Sequence, residues 1–86
     1  MSEQWTVEKL GCNLVVFRNE KDSISVCLEY DFNISGFIEL SKHKQCNRYC
    51  YHNRYYNRNL PENRYRYYRI LSMIPIKIWR DAYNLF

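Results

Sequence analysis

The chain has 86 residues, with 13 Lys and Arg, nine Asp and Glu, nine Tyr, two Gly and two Pro, and 47% of it is hydrophobic. Such a length fits one domain (1–86) with a thin core, which dimerisation would reinforce, and the composition is that of a folded chain rather than a disordered one. No apolar run is long enough to cross a bilayer, and Met1-Ser-Glu-Gln-Trp5 lacks the basic-then-apolar plan of a secretory signal. A cytoplasmic protein with reduced cysteines is expected, and a homodimer is the expected assembly.

The strands come first. Gln4 to Leu10 reads as one, turned at Gly11, and Asn13-Leu-Val-Val-Phe-Arg18 is rich in β-formers. Asn19-Glu-Lys-Asp22 is a hairpin loop leading to Ser23-Ile-Ser-Val-Cys-Leu-Glu-Tyr30, which alternates strictly. That alternation puts Ile24, Val26, Leu28 and Tyr30 on one face and Ser23, Ser25, Cys27 and Glu29 on the other. A three-stranded antiparallel meander follows, extended by Phe37 to Leu40, with one face needing cover.

Beyond Glu39 the alternation is lost, and Ser41 is placed to cap a helix running to about Asn57. Leu60-Pro61-Glu62 marks a second helix start, with proline in the first turn and an acid near the positive end of the dipole. Tyr67, Ile70, Leu71 and Ile74 form its apolar stripe. Pro75 interrupts, and Ile76, Trp79, Tyr83 and Phe86 suit a third short helix. The fold class is therefore α+β, with an acidic strand part (1–40) and a basic part of two or three helices (41–86) packed on one face.

Charge follows the same division. Residues 1–41 carry three cations against seven acids, a net −4, and residues 42–86 carry ten cations against two acids, a net +8. A solvated surface, or a basic half neutralised by the acidic half, would account for this. Arginine outnumbers lysine six to two between Lys42 and Arg69, however, and a planar guanidinium suits phosphate forks and stacking on rings.

The segment Lys42 to Arg69 interleaves those cations with tyrosines and asparagines. Guanidiniums take phosphate oxygens, tyrosine faces stack on unpaired bases at about 1–3 kcal/mol each, and amides pair with base edges or ribose hydroxyls. On a helix, Lys44, Arg48, Tyr51, Tyr55 and Arg58 would share one arc, with Cys46, Tyr49, Cys50 and Tyr56 turned to the sheet or a second subunit. Arg66 and Arg69, pointing away from the second stripe, would extend that surface. The candidate contact residues are Lys42, Lys44, Arg48, Tyr51, Arg54, Tyr55, Arg58, Arg64, Arg66 and Arg69. Tyr49, Tyr56 and Tyr67 are expected in the core or an interface, because tyrosine buries area while keeping its hydroxyl wet.

His43, Cys46, Cys50 and His52 suggest zinc, but on one helix His43 and Cys50 would stand about 10 Å apart, so no metal, cofactor or catalytic dyad is expected. A metal-free ribonuclease toxin is a minor reading. In its Tyr- and Asn-rich runs, Asn53-Arg-Tyr-Tyr-Asn-Arg-Asn59 and Asn63-Arg-Tyr-Arg-Tyr-Tyr-Arg69, the chain resembles the small early proteins of T-even-like bacteriophages. That resemblance implies an inhibitor of host nucleic-acid machinery or defence. Two functions stay open: RNA binding through the basic part, or a protein-binding inhibitor whose Tyr and Arg are interface anchors.

Overall fold

The computed structural model describes residues 4–39 and 42–86. Strands β1 (Trp5–Leu10), β2 (Leu14–Asn19) and β3 (Ile24–Asp31) form the antiparallel meander. Its two loops rest on left-handed backbone: Gly11 at φ +67° in the first, and Ser23 at φ 55° in the second, where Asn19 Oδ1 accepts the Asp22 N–H at 3.2 Å. The far edge of β3 serves two partners. Strand β4 (Gly36–Ile38) pairs with Glu29–Asp31, and β5 (Arg48–Tyr51) pairs with Ile24–Val26. Strand β6 (Arg54–Asn57) pairs with β5 and closes the order β1-β2-β3-β5-β6.

The expected helix from Ser41 to Asn57 is therefore corrected, and with it the purely helical 41–86 part; Ser41 and Leu40 lie outside the described residues. In its place stand a 3-10 turn (Lys44–Asn47) and the β5–β6 hairpin. Asparagine and tyrosine are weak helix formers, and Tyr49, Tyr51 and Tyr56 gain more by burying their rings on a sheet. The two-residue loop His52-Asn53 takes φ 52° and 68°, the doubly left-handed backbone that matches the twist of a tight hairpin.

Two α-helices complete the fold, α1 (Pro61–Met73) and α2 (Ile76–Tyr83). Pro61 and Glu62 open α1, and its stripe buries Tyr67, Ile70 and the following Ile74. On α2 the stripe is rotated from the expected one: Ile78 and Ala82 are buried and Trp79 and Phe86 half-buried, while Ile76 is 69% exposed. Both helices lie on the face that carries Val15, Phe17, Ile24, Val26, Leu28 and Tyr49. Each fully buried residue of that size contributes about 1.5–3 kcal/mol of transfer free energy. On the other face Leu14, Cys27 and Cys46 make a smaller cluster beneath the 3-10 turn. A hydrogen bond to Cys46 and burial both push the Cys27 thiol up, so it stays protonated.

Between β4 and β5 the edge of β3 is left with a notch, and Arg58 lines it with Glu29, Ile38 and Asn47. Arg58 is 1% exposed. Its Nε donates to the Cys46 carbonyl, its backbone N–H donates to the Asn47 carbonyl at 3.0 Å, and its guanidinium lies 5.7 Å from the Tyr67 ring centroid. One side chain thus joins the 3-10 turn, the end of the hairpin and α1.

Arg58→Ala should lose about 2–4 kcal/mol in urea unfolding, through the cavity and the orphaned carbonyl, whereas Arg64→Ala at the surface should lose less than ~1 kcal/mol. Equal losses would show that Arg58 is not the connector. The Tyr67 hydroxyl has no hydrogen-bond partner among the described residues, so Tyr67→Phe should stabilise by about 1 kcal/mol. Burial also raises the pKa values of Tyr67 and Tyr49 above the ordinary tyrosine value. The folded state then holds protons the unfolded chain releases, so stability should be intact below pH ~10 and fall as pH rises beyond it, less steeply in Tyr67→Phe.

Candidate nucleic-acid interface

Strand alternation sends the hairpin's side chains to opposite sides of the sheet. Tyr49 and Tyr51 of β5 and Arg54 and Tyr56 of β6 share the helix-bearing side, while Arg48, Cys50, Tyr55 and Asn57 share the other. Tyr49 sits at the base, 1% exposed, with its hydroxyl donating to the Asn63 carbonyl at 3.1 Å.

On the helix-bearing side α1 runs past the hairpin and lays Arg66 across two rings. Its guanidinium is 5.2 Å from the Tyr51 centroid and 4.8 Å from that of Tyr56. Arg69 stands 5.8 Å from the Tyr65 ring one turn along, as i, i+4 spacing dictates. Tyr51, Tyr65, Arg66 and Arg69, with Glu62 and Met73, line a cleft of about 180 Å³, and Tyr65 is 73% exposed. A guanidinium lying on a ring keeps its in-plane N–H donors available, so stacking orients it for an anion.

The opposite side carries two clefts that share Arg48. One, of about 440 Å³, is lined by Lys44, Asn47, Arg48 and Asn57; the other, of about 320 Å³, is lined by Gln45, Arg48, Cys50 and Tyr55 over a floor that includes Val16 and Cys27. Tyr55 is 69% exposed. This side therefore offers cations, amides and one open ring.

The structure distributes the predicted contact residues accordingly. Lys42, Lys44, Arg48 and Tyr55 belong to the side opposite the helices, and Tyr51, Arg54, Arg66 and Arg69 to the helix-bearing side. They do not form the single helical arc expected, because a strand period replaces a helical one. Arg58 is withdrawn from the open surface, 1% exposed, into the cleft lined by Glu29 and Asn47. Arg64 is neutralised: Glu39 holds it at 2.5 Å, and Tyr68 accepts from the same nitrogen while donating to Glu39 at 2.7 Å. Both contacts raise the Arg64 pKa.

The ion pairs among the described residues are Arg64–Glu39 and Arg18–Glu8, so Arg48, Arg54, Arg66 and Arg69 have no carboxylate within ion-pair distance there. The acidic strands neutralise little of the hairpin. Tyr65 and the amide of Gln45 enter the surface without having been singled out by sequence, whereas Asn57 belongs to the asparagines read there as amide donors; for Tyr65 the signal was its spacing to Arg69 on α1. His52 is exposed at the hairpin tip, whereas Cys46 and Cys50 are buried, and no three His, Cys, Asp or Glu side chains converge on a metal position among the described residues. Comparison of the chain with protein-family models, with curated proteins and with solved structures found no match.

Proposed function

We propose that the protein binds single-stranded RNA across the β5–β6 hairpin, with the outer strand β6 as the ridge over which the strand passes. The observation that carries this reading is Arg66 held over Tyr51 and Tyr56, beside Arg54 and Arg69, with none of the three arginines ion-paired among the described residues. Guanidiniums would take phosphates, and the exposed rings of Tyr55 and Tyr65 would take bases, one on each side of the ridge. Flat sequence preference is expected, because any base offers a π-face. In the setting suggested by the resemblance to phage takeover proteins, occupying RNA would block a host ribonuclease or defence complex.

A second reading, a protein-binding inhibitor, is favoured by a different surface. Phe32 and Ile34 are 60% and 62% exposed in the β3–β4 loop, and Phe32 lies 5.8 Å from the Phe86 ring next to exposed Tyr83. Exposed apolar residues of this size suit a partner protein.

Electrophoretic mobility shift and fluorescence anisotropy with a random-sequence RNA separate the two. Binding should weaken with salt at a log–log slope of about −3 to −4, as about five single-strand phosphate contacts require. Replacing Arg48, Arg54 and Arg69 together with glutamine should abolish the shift and leave the far-ultraviolet circular dichroism unchanged, while Phe32→Ser should leave RNA binding intact. Retention of RNA affinity by the triple variant would exclude the hairpin as the site.

A further inference from the structure

The notch at the edge of β3 opens into a cleft of about 530 Å³ lined by Glu29, Ile38, Lys42, His43, Asn47, Arg58 and Asn59. Its floor is a guanidinium in an unusual situation. Arginine cannot shed its proton, and burying a charge without a counter-charge costs several kcal/mol. Yet Arg58 is 1% exposed and no carboxylate lies within ion-pair distance among the described residues. Nε is used on the Cys46 carbonyl, and Nη1 reaches Asn59 Oδ1 only at 3.4 Å. The single acid on the wall, Glu29, accepts from Asn13 Nδ2 at 3.1 Å. Lys42 adds a second cation at the rim.

We propose that this cleft is a phosphate-binding site, with Arg58 at its floor and Lys42 at its mouth, and that it takes the terminal phosphomonoester of a nucleic-acid strand. Three features favour a phosphate at a chain end. The guanidinium fork matches tetrahedral phosphate oxygens, a monoester carries close to two charges where an internal diester carries one, and an internal phosphate flanked by two riboses is bulkier than a terminal one at so deeply set a guanidinium. The cleft also shares Asn47 with the Lys44, Arg48 and Asn57 cleft, so a strand anchored here by its end would continue onto the proposed RNA surface. The carrier's identity rests on the RNA-binding reading; the phosphate site itself does not.

The test uses the full chain and short single-stranded RNAs of one sequence bearing a 5′-phosphate, a 3′-phosphate or hydroxyls at both ends, read by anisotropy. One phosphorylated form should bind about tenfold tighter than the hydroxyl form, the gain expected of a charge-assisted pair. Lys42→Gln should remove most of that difference, and Glu29→Gln, which deletes the one repelling charge, should enlarge it. Equal affinity for all three RNAs overturns the terminal-phosphate site and leaves the RNA-binding reading standing. If no RNA binds, a titration with inorganic phosphate followed by 15N NMR decides the matter. A shift of the Arg58 Nε–H signal ahead of those of Arg48 and Arg54 supports the site, and its absence overturns it. Because Arg58→Ala removes a structural connector as well as the phosphate ligand, melting of Glu29→Gln is the control: a loss of stability as large as that of Arg58→Ala would identify Glu29 as the counter-charge and overturn the proposal.

Discussion

Everything in this fold turns on the way one edge of β3 is shared. An eight-residue strand receives β4 at one end and β5 at the other, and neither short partner covers the middle. The 3-10 turn packs there through Cys46 on Cys27, and Arg58 holds that turn, bonding the Cys46 carbonyl and lying over Tyr67. A shorter side chain would reach neither the 3-10 turn nor α1, and an aliphatic one of equal length would leave the carbonyl orphaned. The same bond fixes where the hairpin ends and α1 begins, so the relation between β6 and Arg66 depends on it.

From that anchor the hairpin's chemistry follows by alternation. Tyr49 and Tyr51 point toward the helices and Cys50 away from them; across the turn, Arg54 and Tyr56 join the first set and Tyr55 the second. A strand with cations and rings on both sides presents two half-surfaces that meet only at its outer edge. A ligand using both must be thin and flexible, and a single strand meets that description better than a duplex does.

Legibility in the sequence was uneven, for identifiable reasons. The meander could be read because Ile24, Val26, Leu28 and Tyr30 alternate with polar residues over a long strand, and α1 because Pro61, Glu62 and the Tyr67, Ile70, Ile74 spacing agree with one another. The hairpin could not be read so easily. Its strands are four residues each, tyrosine occupies both its buried and its exposed positions, and its turn is His52-Asn53 instead of an Asn-Gly pair. Arg58 and Arg64 looked like their neighbours in sequence because the features that remove them, a gap in sheet pairing and a glutamate 25 positions earlier, are set by tertiary structure alone. On α2 the same cause operates. Ile78 and Ala82 are chosen over Ile76 because a small side chain lets the helix settle over β1, a preference that spacing does not encode.

The distribution of charge now has a physical reading. If the basic part existed to neutralise the acidic part, ion pairs would cross between strands and helices in number; among the described residues one does, Arg64–Glu39, and the other lies within the meander. Two arginines of α1 lie instead against tyrosines, half-buried Arg66 and exposed Arg69, at 4.8–5.8 Å from ring centroids. A cation held on a ring loses side-chain freedom in advance yet keeps its charge unspent, since a quadrupole screens it far less than a carboxylate would. Association with an anion then requires little further ordering, which lowers the entropic cost of binding. Under the proposed RNA-binding function, pairing with tyrosine in place of glutamate leaves that charge for an outside polyanion, beside β6 at the end of the strand order.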